Sequence, residues 1–143
     1  MMLLIIGGGG AFKQVLVDGG IAKYVSEIFT NINMPPLLAA WLLAAWLLAA
    51  VLRVCLGSAT VASLTATGLV APMIAATGVN PALMVLAVGA GSVIADHVND
   101  AGFWMIKEYF GLTLKETFMS WTTATTVMSL MGLLSVLGLS LVV

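Results

Sequence analysis

Charge is what this sequence has least of. Five Lys and Arg and six Asp and Glu residues are spread over 143 positions, 8% of the chain, where soluble domains average about 25%. So sparse a polar surface excludes an ordinary water-soluble globule, and the chain reads as a membrane protein. The formal net charge of −1, with no basic stripe, excludes a nucleic-acid partner, whose phosphates demand clustered Lys and Arg. Cysteine occurs once. Cys55 cannot close an internal disulfide, no Cys/His spacing of the zinc type exists, and the residue reads as a small apolar filler in a helix. Gly-x-Ser-x-Gly, His-Glu-x-x-His and a P-loop lysine are all missing, so neither an enzyme nor a bound metal or cofactor is expected. The glycine run Gly7 to Gly10 lacks the strand-turn-helix setting of a dinucleotide site and reads as a helix break.

What is present is hydrocarbon: 62% of the residues are hydrophobic and the mean hydropathy is +1.16. Residues 1–12 are apolar but too short to span, lack a basic leader region, and read as the tail of a helix whose beginning is missing, so the chain reads as a fragment. Residues 13–34 are the most soluble-looking stretch. Their apolar positions fall near helical spacing, and Gly19-Gly20 divides them into two short interfacial helices. Pro35-Pro36 opens the first membrane segment, 36–56, as proline does at a helix start.

That segment carries a tandem repeat, LLAAWLLAAWLLAA, whose period of five advances about 140° per unit, so Trp41 and Trp46 do not share a face and the repeat reads as lipophilic filler. Arg53 lies near its far end, and the expected reading is a side chain snorkelling to the headgroups. The alternative places it inside the bundle, paired with an acid. Segment 58–78 is rich in small and hydroxylated residues, which let helices approach closely. Gly57 and the Gly68/Pro72 pair would equally suit a broken or re-entrant helix, tolerated only where protein or water covers the freed backbone groups. The last segment, 117–143, begins with a run of Ser and Thr. Bonding to carbonyls one turn back and lining a cavity are both open to these hydroxyls.

Segment 81–104 holds the most informative feature. Asp96, His97, Asn99 and Asp100 fall within five positions, flanked by apolar sequence on both sides. A charge at the bilayer centre costs roughly 3 kcal/mol or more, and intramembrane ionisable groups usually mark a substrate or ion path. Pro81 to Ala95 would give about 22 Å of helix, too short to cross alone. The cluster therefore lies inside the membrane if the helix continues, with Asp96, Asn99 and Asp100 on one face, or at a hairpin tip or membrane-edge loop if the chain turns back. Lysines in the two charged loops, at residues 13 and 23 and at residues 107 and 115, favour the hairpin, which puts both loops on one side. The expected architecture is thus a single all-α domain over residues 1–143, polytopic, with broken or re-entrant transmembrane helices.

Three stretches carry a family resemblance: GGGGAFKQVLVDGGIAKYV, LRVCLGSATVASLTATGLVAP, and NPALMVLAVGAGSVIADHVNDAGFWMIKEYFGLTLKETFMSWT. They resemble the C-terminal part of the gluconate permease (gluconate:H+ symporter) family. The resemblance implies a protein of the bacterial inner membrane that takes up gluconate or a related sugar acid together with protons. It also implies inverted repeats and re-entrant hairpins, one at Gly57-Ser58-Ala59-Thr60 and a second from Gly91-Ser92 through His97-Val98-Asn99-Asp100. On that basis Ser58, Thr60, Ser92 and Asn99 are candidates for binding substrate, whose carboxylate suits a helix N-terminus. His97, Asp100 and Asp96 are candidates for proton coupling. The implied partners are the sugar acid, protons, the lipid bilayer, and either a missing N-terminal half or further copies of the chain.

Two local departures stand out. The family pattern has Ser where this chain has Asp96, and a carboxylate there would repel an anionic substrate by about 4 kcal/mol at ~4 Å in a medium of effective dielectric ~20. It also has one Trp-Leu-Leu-Ala-Ala unit where this chain has two. The alternative function is a truncated structural membrane protein that inserts but transports nothing.

Overall fold

A run of Leu, Ala, Trp and Val has no residue that stops a helix, and in the computed structural model, which describes residues 15, 18–20 and 38–142, it forms α1 (Leu38–Leu56). Gly57, at φ 67, ends α1, its N–H returning to the Arg53 carbonyl at 3.0 Å. Ser58 caps α2 (Ala59–Thr77), its hydroxyl accepting from the Val61 N–H, and Gly78 closes that helix in the left-handed conformation. The break between the two segments is therefore at Gly57-Ser58. Gly68 and Pro72 do not interrupt α2, which runs through both.

Asn80 and Pro81 start α3 (Pro81–Ser92), the Asn80 side chain accepting from the Ala82 N–H at 2.9 Å. After Ser92 the chain leaves the helix for eight residues, and Ala95 takes a left-handed φ of 46. Asp100 then caps α4 (Ala101–Tyr109). Thr113 and Glu116 form a reciprocal capping box that starts α5 (Leu114–Thr117). That short helix runs through a π-helical turn at Phe118–Thr122 into α6 (Thr123–Leu139). Among the described residues there is no strand, and the fold is all-helical as expected. Leu114–Leu139, 26 residues, is the one described helix long and apolar enough to cross a membrane, while Ala40–Leu56, Ala59–Pro72 and Pro81–Ser92 are shorter apolar helices. The helix remnant expected at 1–12 and most of 13–34 lie outside the described residues. At Gly19 and Gly20 the expected break is a turn, closed by Gly19 N–H on the Val15 carbonyl.

α3 is the central element and packs against α1, α2 and α6. Its seams are made by small residues. Leu42, Ala45 and Ala49 of α1 are fully buried and recur at helical spacing, continued by Arg53, so the five-residue repeat is more than filler: alanines from successive units form one close-packing stripe. Ala45 and Ala49 share the core with Met84, Ala87 and Val88 of α3. Gly132 of α6 leaves room for Ala90, whose Cβ would stand 2.9 Å from a Cβ added there. Leu43, Leu47, Val51 and Val54 form the opposite, exposed stripe of α1, and Val127, Met128, Met131 and Leu134 are exposed on α6. Large apolar side chains at these regular intervals suit hydrocarbon rather than water.

One polar tie crosses the core. Ser129, fully buried on α6, donates to the Ala90 carbonyl at 2.6 Å and accepts from the Trp46 indole N–H at 3.1 Å. Ser129→Ala strands the Trp46 donor in an apolar seam, and we expect a loss of about 1–3 kcal/mol. Thermal unfolding in detergent checks it: Ser129→Ala should cost more than the same change at exposed Ser135, whose hydroxyl bonds only the Met131 carbonyl within its own helix.

Candidate functional site

The linker between α3 and α4 carries the acids, and α1 brings them their cation. Arg53 stands one turn before the end of α1, with its side chain 3% exposed. The ordinary expectation of a snorkelling arginine is corrected: the guanidinium turns inward, where two carboxylates stabilise its charge better than distant headgroups could. Nη1 donates to Asp100 Oδ2 at 2.5 Å, and Nη2 lies 3.1 Å from Asp96 Oδ1. That second contact is an ion pair whose alignment falls short of a hydrogen bond.

Asp96 is tied to the last membrane segment at three atoms. Its Oδ2 accepts from the Trp121 indole at 2.9 Å, its carbonyl from the Thr122 hydroxyl at 2.5 Å, and its N–H donates to Thr125 Oγ1 at 3.2 Å. The π-helical turn that contains Trp121 and Thr122 falls where the helix meets the linker, a setting in which π-bulges recur at functional sites. Back-bonding, one of the two readings of the hydroxyl run, holds for part of it, and the rest makes contacts that neither reading named. Thr117, Ser120 and Thr126 bond carbonyls one turn back, whereas Thr122 and Thr125 reach the linker. Trp121→Phe removes a hydrogen bond to a buried carboxylate, and we expect it to cost about 1.5–3 kcal/mol. A double-mutant cycle with Asp96→Ala, which removes the acceptor, tests this, a coupling energy near zero refuting it.

Asp100 Oδ1 accepts from Gly102 N–H and so fixes the first turn of α4, which Phe103, fully buried, packs against Phe118 with ring centroids 5.0 Å apart. Asn99 Nδ2 donates to the Val54 carbonyl at 2.8 Å, filling an acceptor left free at the end of α1. Gly57 lies directly beneath it. A Cβ at Gly57 would collide with the Asn99 carbonyl oxygen and stand 2.7 Å from Asn99 Cγ, so the two helix breaks meet at that point.

The candidates named from sequence are thus only partly gathered. Asp96, Asn99 and Asp100 converge with the Gly57-Ser58 break, but from a linker of turns and not from one face of a continuous helix. His97 is half-buried and donates from Nδ1 to the Ala95 carbonyl at 2.9 Å, since that oxygen can only accept. Ser58 is half-buried and serves as a cap, Thr60 is exposed on α2, and Ser92 is buried with its hydroxyl on the Gly89 carbonyl. Trp121, Thr122 and Thr125 were missed as site residues. Their one signal was the i,i+4 spacing of Trp121 and Thr125 inside the hydroxyl run, which any lipid-facing helix could share. The repulsion expected from Asp96 is answered in part, because its charge faces Arg53 and the Trp121 donor.

A helical bundle with apolar outer faces, broken at a buried cluster of charges, is built as a membrane permease is built. The chain belongs to the GntP family of permeases, whose family model matches residues 1–142. It is 65% identical over 142 residues to an uncharacterized permease of Bacillus subtilis (strain 168), covering 99% of this chain and 31% of that protein. It is 61% identical over 143 residues to a gluconate permease of the same organism, covering all of this chain and 31% of the relative. A Gnt-II system L-idonate transporter of Escherichia coli (strain K12) is 54% identical over 142 residues, with 99% and 31% covered. The chain therefore spans about a third of the length of these relatives. No solved structure matches it.

Proposed function

We propose that this chain is part of a proton-coupled importer of gluconate or a related sugar acid, multi-pass in a bacterial inner membrane. The observation that carries the reading is the Arg53–Asp96–Asp100 cluster at the meeting point of two helix breaks. Two acids on one base leave a net charge of −1 in an apolar surround, an arrangement that serves proton exchange better than it serves stability. The relatives named for gluconate and L-idonate support the sugar-acid substrate.

In this reading the acids and His97 handle the proton, and Ser58, Thr60, Ser92 and Asn99 are the candidates for the substrate's hydroxyl and carboxylate oxygens. Asn99 is the best placed of the four, exposed and beside the Gly57 break. Ser92 would have to give up its bond to Gly89. Alternating access needs a second repeat to move against this one around a shared site, supplied by the rest of a longer chain or by another copy.

The test is uptake of labelled gluconate into energised vesicles carrying the full-length protein, with and without a proton uncoupler. Uncoupler-sensitive accumulation supports the reading. An inserted protein that accumulates no sugar acid overturns it in favour of a structural membrane protein.

A further inference from the structure

The guanidinium of Arg53 is not fully used. Its Nε, buried, has no acceptor, Nη2 has an ion pair without hydrogen-bond alignment, and Nη1 alone makes a well-formed bond, to Asp100. A guanidinium grips a carboxylate best through two parallel N–H bonds. Neither acid takes that grip here, because each holds a different nitrogen.

The two acids also differ in how they are held. Asp96 is fixed to the π-turn and α6 by Trp121, Thr122 and Thr125, and its side chain is 9% exposed. Asp100 has only Gly102 N–H besides Arg53, and its side chain is 18% exposed. Asp96 is the fixed counter-ion, and Asp100 is the one that can let go.

We infer that Arg53 takes the carboxylate of the sugar acid and that Asp100 is its resident competitor, an inference that rests on the transport reading above. A proton binds a carboxyl oxygen of Asp100, the Arg53 Nη1 bond to it is given up, and the substrate's carboxylate enters on the freed guanidinium edge. One O–H bond forms on Asp100 as one breaks in the hydronium ion that delivers the proton, and no other covalent bond changes. The site holds one cation and two anions before the exchange. With one proton and one monoanion added, its net charge is unchanged. Without the proton, a third carboxylate around one guanidinium would meet about 4 kcal/mol of repulsion from each neighbour at ~4 Å and effective dielectric ~20, so the anion and the proton load together. Among the described residues, the charged and titratable groups around Asp100 are few. α1 contributes Arg53 and the linker contributes Asp96 and His97. α2, α3, the π-turn and α6 contain no acid or base. On α4, Lys107 and Glu108 pair with one another two turns further along.

The experiment is equilibrium binding of labelled gluconate to the purified full-length protein across about pH 5 to 8. Wild-type affinity should fall as the pH rises. Asp100→Asn, which keeps the cap on Gly102 and is permanently neutral, should bind with little pH dependence and should no longer accumulate gluconate against an uncoupler-sensitive gradient. Arg53→Gln should weaken binding by about 10- to 100-fold at every pH, the worth of one charge-assisted hydrogen bond. If the wild type binds gluconate but a folded Asp100→Asn keeps the wild-type pH slope or loses binding altogether, the inference is overturned and the transport reading stands. Arg53→Gln with wild-type affinity overturns it equally. A wild type that binds no sugar acid at any pH removes the transport reading itself.

Discussion

Arg53→Leu is expected to lower stability by about 3–5 kcal/mol, the largest loss of any single substitution in the charged cluster. The cost is not the worth of the ion pair, since paired buried charges gain little over an apolar replacement once their desolvation is counted. It is the penalty of leaving Asp96, 7% exposed, with a carboxylate that has lost its cation. The triple variant Arg53→Leu, Asp96→Asn, Asp100→Asn therefore recovers most of the loss, although it removes more polar contacts than the single one. Denaturation in detergent by thermal or chemical means reads both. A single variant as stable as wild type, or a triple variant worse than the single, sinks the argument that the acids are held by the guanidinium.

Gly91→Val is expected to do comparable damage by a steric route. Gly91 is buried on α3, and a Cβ there would drive into the Trp46 carbonyl oxygen and stand 3.0 Å from the Ala49 Cβ. A backbone carbonyl inside a helix has no rotamer into which to retreat, so the helices themselves must part. Overpacking a core generally costs about 1–3 kcal/mol, and with backbone as the obstacle the upper end is expected. Gly138→Val on α6, where an added Cβ meets nothing within 4 Å, is the control. Its effect should stay near the modest gain or loss of helix propensity. Equal melting points for the two variants would refute the close approach of α1 and α3.

Much of this architecture was legible in the chain because its signals are local. Proline at residue 81, Asn80 before it and Gly78 just beyond α2 mark helix ends by backbone chemistry alone, and the structure ends its helices there. The scarcity of charge announced the membrane. The cluster at residues 96–100 announced the site by the same reasoning: its groups are too costly in hydrocarbon to be idle. What the sequence hid were relations between distant segments. Whether Arg53 snorkels or turns inward depends on what lies 43 and 47 positions later, and a helix with a basic residue near its end looks the same in either case. The role of Trp121 depends on a π-helical turn, which no residue pattern in FMSWT specifies. Pro72 misled in the opposite direction. Its missing N–H invites a break, yet the exposed residue stays within a continuous α2, and the interruption falls at Gly57, where the left-handed backbone and the approach of Asn99 both require glycine.

The attachments of the α3–α4 linker also give it a mechanical character. Its Asp96 backbone is fastened at both N–H and carbonyl to the helix that ends the chain's described part, so this stretch moves with α6. The guanidinium that meets its carboxylate is carried by α1. Any sliding of one helix along the other is therefore felt at the few polar contacts that α1 makes across to it: Arg53 with Asp96 and Asp100, the Val54 carbonyl with Asn99, and Trp46 with Ser129. The joint works as a strain gauge: it converts a displacement of whole helices, which changes no chemistry by itself, into a change in how strongly the two acids are neutralised.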